Sequence, residues 1–195
     1  MKEFGKNHNT KEYVQKQILD RAKAMIDFTW TPKKDLEGWR NDHTFPAGVP
    51  VKGIPYSMTE HQTNLTSFKE ALKKEDFYVS GYKRDDKYPD ESATMPKYGN
   101  DCSGFVSFAW GMKRMTTYEI EDSPDTIHFS LGEKELEPGD AFVKDTHTFL
   151  YVRTAENGDF ICYEQTPPKT RIHPFSPYYI RKYGYKVYRL LSLVD

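Results

Sequence analysis

The sequence predicts a mixed α+β domain, with helices leading and strands following. Three observations carry this. Val14, Ile18, Ala22, Met25 and Ile26 recur at helical spacing near the start of the chain. Phe105-Val106-Ser107-Phe108-Ala109-Trp110 is an apolar, helix-compatible run behind a polar turn. From Pro138 onward, a Pro-Gly turn, an Asn-Gly turn and Pro167-Pro168 separate short apolar runs, the pattern of strands joined by hairpins.

The first helix opens where Asn9, with Glu12 three residues later, matches a capping box, and it runs to about Phe28. Thr31-Pro32 ends it, and its apolar stripe is expected to pack on the rest of the domain. Residues 35–55 are rich in Gly and Pro, with Trp39 and Phe45 as anchors, and read as irregular structure wrapped around the domain. Leu65, Phe68, Ala71 and Leu72 supply the apolar face of a short helix. The charged run Lys83-Arg84-Asp85-Asp86-Lys87-Tyr88-Pro89-Asp90-Glu91 reads as a solvated loop.

Asn100-Asp101-Cys102-Ser103-Gly104-Phe105-Val106 places one of two cysteines at the first turn of the next helix. Unpaired N–H groups and the positive dipole end there stabilise a thiolate. Asp101 suits the N-cap, and Gly104 permits close approach of other atoms. Read alone, Cys102 is either a nucleophile or a small buried apolar residue.

Leu136-Glu137-Pro138-Gly139-Asp140 forms a turn before a strand at Ala141-Phe142-Val143. A hairpin follows: one arm runs from His147 to Arg153, Asn157-Gly158 is the loop, and the other arm runs from Phe160 to Thr166, halted by Pro167-Pro168. With that loop Glu164 sits opposite Tyr151, and His147, Phe149, Tyr151, Cys162, Glu164 and Thr166 share one face. A histidine and a carboxylate therefore share a surface. Arg171-Ile172-His173 begins a further strand, and Tyr185-Lys186-Val187-Tyr188-Arg189-Leu190 alternates as the last one.

In this order, Asp101-Cys102-Ser103-Gly104-Phe105, Pro138-Gly139-Asp140 and the His147 strand resemble the NlpC-type cell-wall cysteine peptidases over about residues 53–166. Glu164 in Tyr163-Glu164-Gln165-Thr166 is similar to the third catalytic residue of the related CHAP amidases, where NlpC-type members usually carry His. The CHAP pattern usually has Asn where this chain has Thr166. The resemblance implies a papain-like fold, with the nucleophile helix packed against an antiparallel β-sheet. It implies a hydrolase of peptidoglycan stem peptides with Cys102 as nucleophile, His147 as base and Glu164 as its orienter.

Gly53-Ile54-Pro55-Tyr56-Ser57 resembles the family's Gly-x-Pro-Tyr segment. This implies that Tyr56 lines the active site and that Asp101 and Ser103 help hold a free amine of the substrate. Without the resemblance, Tyr56 is equally an ordinary turn residue after Pro55. The gap from Tyr56 to Cys102 exceeds the family's short link. An insertion at about residues 58–97 is thus expected in a catalytic domain of 53–195, preceded by a helix and wrapping segment over 1–52. Both ends of the insertion lead to the site, so it is expected to border the substrate cleft. The implied chemistry needs no metal or organic cofactor, and the implied location is secreted or cell-envelope. The alternatives are an acyltransferase and an inactive wall- or glycan-binding module on the same fold.

Composition narrows the field. The 195 residues suffice for one sizeable core, and 14 Tyr and 12 Phe supply much of its packing. A net charge of −1 offers no basic excess to neutralise nucleic-acid phosphates. No apolar run approaches the length of a membrane span, and the N-terminus lacks the apolar core of a secretory signal. Six His and two Cys form no metal-ligand pair at the usual spacing, and no phosphate-cradling Gly-rich loop is present. Cys102 and Cys162 are expected to be free, with Cys162 packed inward.

Overall fold

The computed structural model describes residues 10–84 and 92–193. Helix α1 (Lys11–Asp27) starts one residue later than the sequence predicts, because Thr10 is the cap: its Oγ1 accepts the Tyr13 N–H at 3.3 Å. Asn9 lies outside the described residues. The predicted stripe faces inward, with Ile18, Ala22, Met25 and Ile26 buried and Val14 packed at the margin. After the short helix α2 (Leu65–Ala71) comes α3 (Cys102–Trp110), and Arg21 Nε donates to Ala109 O at 2.7 Å to tie α1 to it. A fourth helix, α4 (Thr117–Glu121), opens on a capping box from Thr116 and Glu119.

The sheet has six strands: β1 (Thr126–Phe129), β2 (Ala141–Lys144), β3 (His147–Thr154), β4 (Phe160–Gln165), β5 (Thr170–Phe175) and β6 (Lys186–Leu190). Their spatial order is β5-β4-β3-β2-β6-β1, and every neighbouring pair is antiparallel. Side chains alternate across it. Ala141, Val143, Leu150, Tyr163 and Tyr188 join α1 and α3 in one core cluster. Phe142, Phe149, Cys162, Phe175 and Val187 build the second on the opposite face, closed by Ile180 of helix α5 (Pro177–Lys182). Both cysteines are free and buried.

The β3–β4 register differs from the expected one. Tyr151 lies opposite Cys162 and Leu150 opposite Tyr163, with a bulge between Tyr151 and Arg153. The turn is longer than Asn157-Gly158, since Ala155 N–H donates to Asp159 O and Asn157 Oδ1 accepts the Asp159 N–H. That side-chain turn draws Asp159 out of the ladder. Between Tyr151 and Cys162 the slip amounts to two residues, against one beyond the bulge, and the even slip leaves the His147 and Glu164 ends of the two strands on their predicted face.

The segment expected to be an insertion also holds more than a helix and a loop. Ser80–Arg84 and Ser92–Pro96 pair as antiparallel strands, with Ala93 and Met95 buried. Of the charged run, residues 85–91 lie outside the described residues.

The Pro138-Gly139-Asp140 turn is held by charge. Gly139 adopts φ 98°, a left-handed conformation that favours glycine. Asp140 is fully buried and takes a two-pronged contact from Arg189, with Nε to Oδ1 at 2.7 Å and Nη2 to Oδ2 at 2.8 Å. Arg189 Nη1 also donates to Glu137 at 2.6 Å, and Gln15 of α1 bonds the other Glu137 oxygen. Trp110 Nε1 donates to Gly139 O at 2.9 Å, so the turn anchors α3 as well. Arg189→Met would leave Asp140 buried without its counter-charge. We expect a loss of about 3–5 kcal/mol, measured from urea unfolding. A loss no larger than that of the exposed Arg153→Met would show the fork to be dispensable.

Candidate active site

Cys102 is the first residue of α3, and Asp101 is its cap, Oδ1 accepting the Gly104 N–H at 2.7 Å. The preceding residue secures the turn: Asn100 Oδ1 accepts the Asp101 N–H, and Asn100 Nδ2 donates to Gln62 O. Gly104 is needed because a Cβ there would lie 2.0 Å from Asn100 Oδ1 and 2.8 Å from Asp101 Oδ1. Its small size makes room for these two side chains. The first-turn N–H groups of Cys102 and Ser103 have no intrahelical acceptor.

His147 opens β3 and meets Glu164 of β4, with Nε2 to Oε1 at 2.7 Å. Because Nε2 is engaged, Nδ1 is the nitrogen left for Cys102. Burial pulls the imidazole's pKa down, but hydrogen bonds with Cys102 and Glu164 outweigh it and raise it to about 9. Glu164 is 3% exposed. Burial works to raise its carboxyl, yet His147 and Arg171 hold it below the usual 4.5.

Tyr56 is brought to the turn before Cys102 by backbone pairing: it bridges Asn100, and Ser57 N–H donates to Asn100 O at 3.0 Å. Its ring stands edge-on to Trp39, centroids 5.2 Å apart. Burial, then the electrostatic effect of Cys102 and Asp101, pushes the phenol far up, so it stays a donor. Asp101 and Ser103 are buried. Ser103 Oγ donates weakly to Asp101 Oδ1 at 3.4 Å, while Arg114 Nη2 meets Asp101 Oδ2 at 2.5 Å. His61 Nε2 lies 3.1 Å from that same oxygen, close in charge but poorly aligned for a hydrogen bond. Burial acts to raise Asp101, and His61, Arg114 and the Gly104 N–H together hold it below its ordinary value.

The structure thus brings together Cys102, His147 and Glu164 and sets Tyr56, Asp101 and Ser103 around the same helix start. Three charged or polar neighbours escaped the sequence reading in these roles. Arg171 Nε donates to Glu164 Oε2 at 2.6 Å, from the position directly opposite on β5. A signal existed, since a hairpin centred on Pro167-Pro168 pairs residue 164 with 171. His61 sits beside Asp101 because Glu60–His61 runs parallel to Tyr98–Gly99. Arg114, in the loop after α3, has no local signature. Of the other histidines, His43 packs on Phe45 and borders a separate cavity with Trp39 and Pro168. Among the described residues no group of three His, Cys, Asp or Glu could hold a metal ion.

No family model matches the chain, and no curated protein matches it. Among solved structures, the peptidoglycan hydrolase RipB of Mycobacterium tuberculosis is similar, with a TM-score of 0.48 and 16% sequence identity, covering 100% of this chain and 75% of that one.

The imidazole yields a pH prediction. Its folded pKa, about 9, lies above the usual 6.5. The charged form therefore contributes stability that is fully present below pH 6.5 and is lost as pH rises through about 9. The melting-temperature gap between wild type and His147→Gln should be widest at pH 6 and narrow by pH 10. A gap independent of pH would mean that His147 is not held in its charged form.

Proposed function

We propose that this chain is a cysteine peptidase or amidase with a papain-like arrangement, hydrolysing amide bonds in peptidoglycan peptides through a thioester. The observation that carries the reading is His147, bonded at Nε2 to Glu164 and electrostatically coupled to Cys102 at a helix start. Nucleophile, base and orienter stand in sequence. The cell-wall substrate comes from the motifs around Cys102, Asp140 and His147, which resemble those of NlpC-type peptidases, and it places the activity at the cell envelope.

In this mechanism the Cys102 sulfur, its proton taken by His147, attacks the scissile carbonyl carbon. Negative charge builds on the carbonyl oxygen, and the Cys102 N–H at the helix start is the natural donor to it, with the Tyr56 phenol as a second. The C–N bond then breaks as His147 returns the proton to the leaving nitrogen. This releases an amine and leaves an acyl group on sulfur. Water, deprotonated by His147, cleaves the thioester to a carboxylic acid and restores the thiol. Glu164 keeps the imidazole turned toward Cys102 and balances its charge throughout. Asp101 and Ser103 are the proposed contacts for a substrate amine. To reach Asp101 Oδ2, that amine must share the oxygen with Arg114 and His61.

Purified peptidoglycan and isolated stem peptides, with products weighed by mass spectrometry, test the reading. Cys102→Ala and His147→Ala should each lower turnover by at least about a thousandfold with little loss of stability. Glu164→Gln should retain more activity than either, because an amide still accepts a hydrogen bond from the ring. Iodoacetamide at pH 6 should label Cys102 and spare the buried Cys162. An unlabelled Cys102 together with intact substrate would remove the enzyme reading. Products carrying an added amine in place of water would make the protein an acyltransferase.

A further inference from the structure

A groove of about 470 Å³ opens beside His147, with Glu164, Thr166, Arg171, His173 and Ser176 among its walls. Cys102 is not one of them. Glu164 is the one carboxylate on those walls, and both of its oxygens are bonded, Oε1 to His147 and Oε2 to Arg171. What the groove offers instead is donors. The Arg171 side chain is 44% exposed, its Nε–H is engaged by Glu164, and Nη1 and Nη2 have no partner among the described residues. Thr166 and Ser176 add hydroxyls, and His173 adds a ring nitrogen. A wall rich in donors, with its one negative charge already bonded on both oxygens, suits an anion.

The position says which part of a substrate meets it. The leaving nitrogen must lie against His147 to receive its proton, so the leaving half of the substrate extends on the His147 side of Cys102, where this groove opens. We propose that Arg171 determines specificity by binding a carboxylate on the leaving-amine half of the substrate. This rests on the peptidase reading above. Glu164, paired directly opposite Arg171 across β4 and β5, holds the guanidinium at one edge and presents its other donors outward. A planar fork fixed in this way loses little freedom on meeting a second carboxylate.

Two matched stem peptides test this with the full chain. They differ only in whether the residue on the leaving side ends in a free carboxylate or a carboxamide. Wild type should favour the carboxylate in kcat/KM by roughly 10- to 100-fold, mainly through KM. Arg171→Gln should bring the ratio close to 1 while lowering both rates by a common factor, since Glu164 also loses a partner. Arg171→Lys should keep part of the preference, and with the wild-type ratio it carries the test if the Gln variant does not fold. A wild-type ratio near 1 overturns the proposal. So does an unchanged ratio in Arg171→Gln, which would leave Arg171 as a positioning residue for Glu164. If wild type cleaves neither peptide, the peptidase reading fails separately. The subsite is then judged by calorimetric titration of Cys102→Ala protein with the two amine products. Tighter binding of the carboxylate product supports it, and equal or absent binding overturns it.

Discussion

The buried charge of Glu164 is the constraint around which this site is arranged. An ionised carboxylate removed from water is costly unless each oxygen finds a strong donor. Here the donors come from the strands on either side, His147 on β3 at 2.7 Å and Arg171 on β5 at 2.6 Å. One charge therefore couples the registers of three adjacent strands. A one-residue slip of β5 would send Arg171 to the other face, and the same slip of β3 would remove His147. The imidazole's orientation follows from the same contact. With Nε2 committed to Glu164, Nδ1 is the nitrogen left for Cys102, so the relation of the proposed nucleophile and base depends on sheet register.

Asp101 poses the same problem at the helix start and is answered by different means. Its hydrogen-bond donors are the Gly104 N–H of the helix it caps, the Ser103 hydroxyl and Arg114, with His61 close by at 3.1 Å. The helix itself supplies the Gly104 N–H and the Ser103 hydroxyl, and segments before and after α3 in the chain supply His61 and Arg114. This matters for Cys102, because a bare carboxylate one residue away would resist negative charge on the sulfur. Clamped by Arg114, Asp101 can cap the helix without opposing the proposed thiolate. The two buried acids near the proposed nucleophile thus both have their charge already answered.

How much of this was legible in the sequence depends on how local each contact is. The helix start at Cys102 and the Asp101 cap are contacts within four residues, and local chemistry predicts them directly. The face shared by His147 and Glu164 was also legible, although the register was not. Side-chain turns around Asn157 and a bulge after Tyr151 moved the pairing, and the slip came out even near the site. Arg171 was within reach through the Pro167-Pro168 turn. Arg114 and His61 were not, since nothing near them in the chain marks a partner at Asp101. The strands Ser80–Arg84 and Ser92–Pro96 were hidden by the charged residues beside them, although Ala93 and Met95 turn inward.

The sheet face that carries His147 and Glu164 also shows how a polar site is supported by an apolar one. Two residues along β3 from His147, Phe149 lies under the imidazole, ring centroids 5.6 Å apart. Phe149 is in turn stacked on Phe175 of β5 at 4.1 Å and packed against Tyr185 at 5.1 Å. The strand period of two places an aromatic residue beside the histidine on the same face. Cross-strand neighbours from β5 and the segment leading into β6 then fix that ring. An imidazole held only by a hydrogen bond to Glu164 could still pivot about it. Phe149 limits that freedom with a ring that carries no hydrogen-bonding group of its own. Hydrogen bonding commits Nε2 to Glu164, and packing of the second core cluster limits how far the ring can turn.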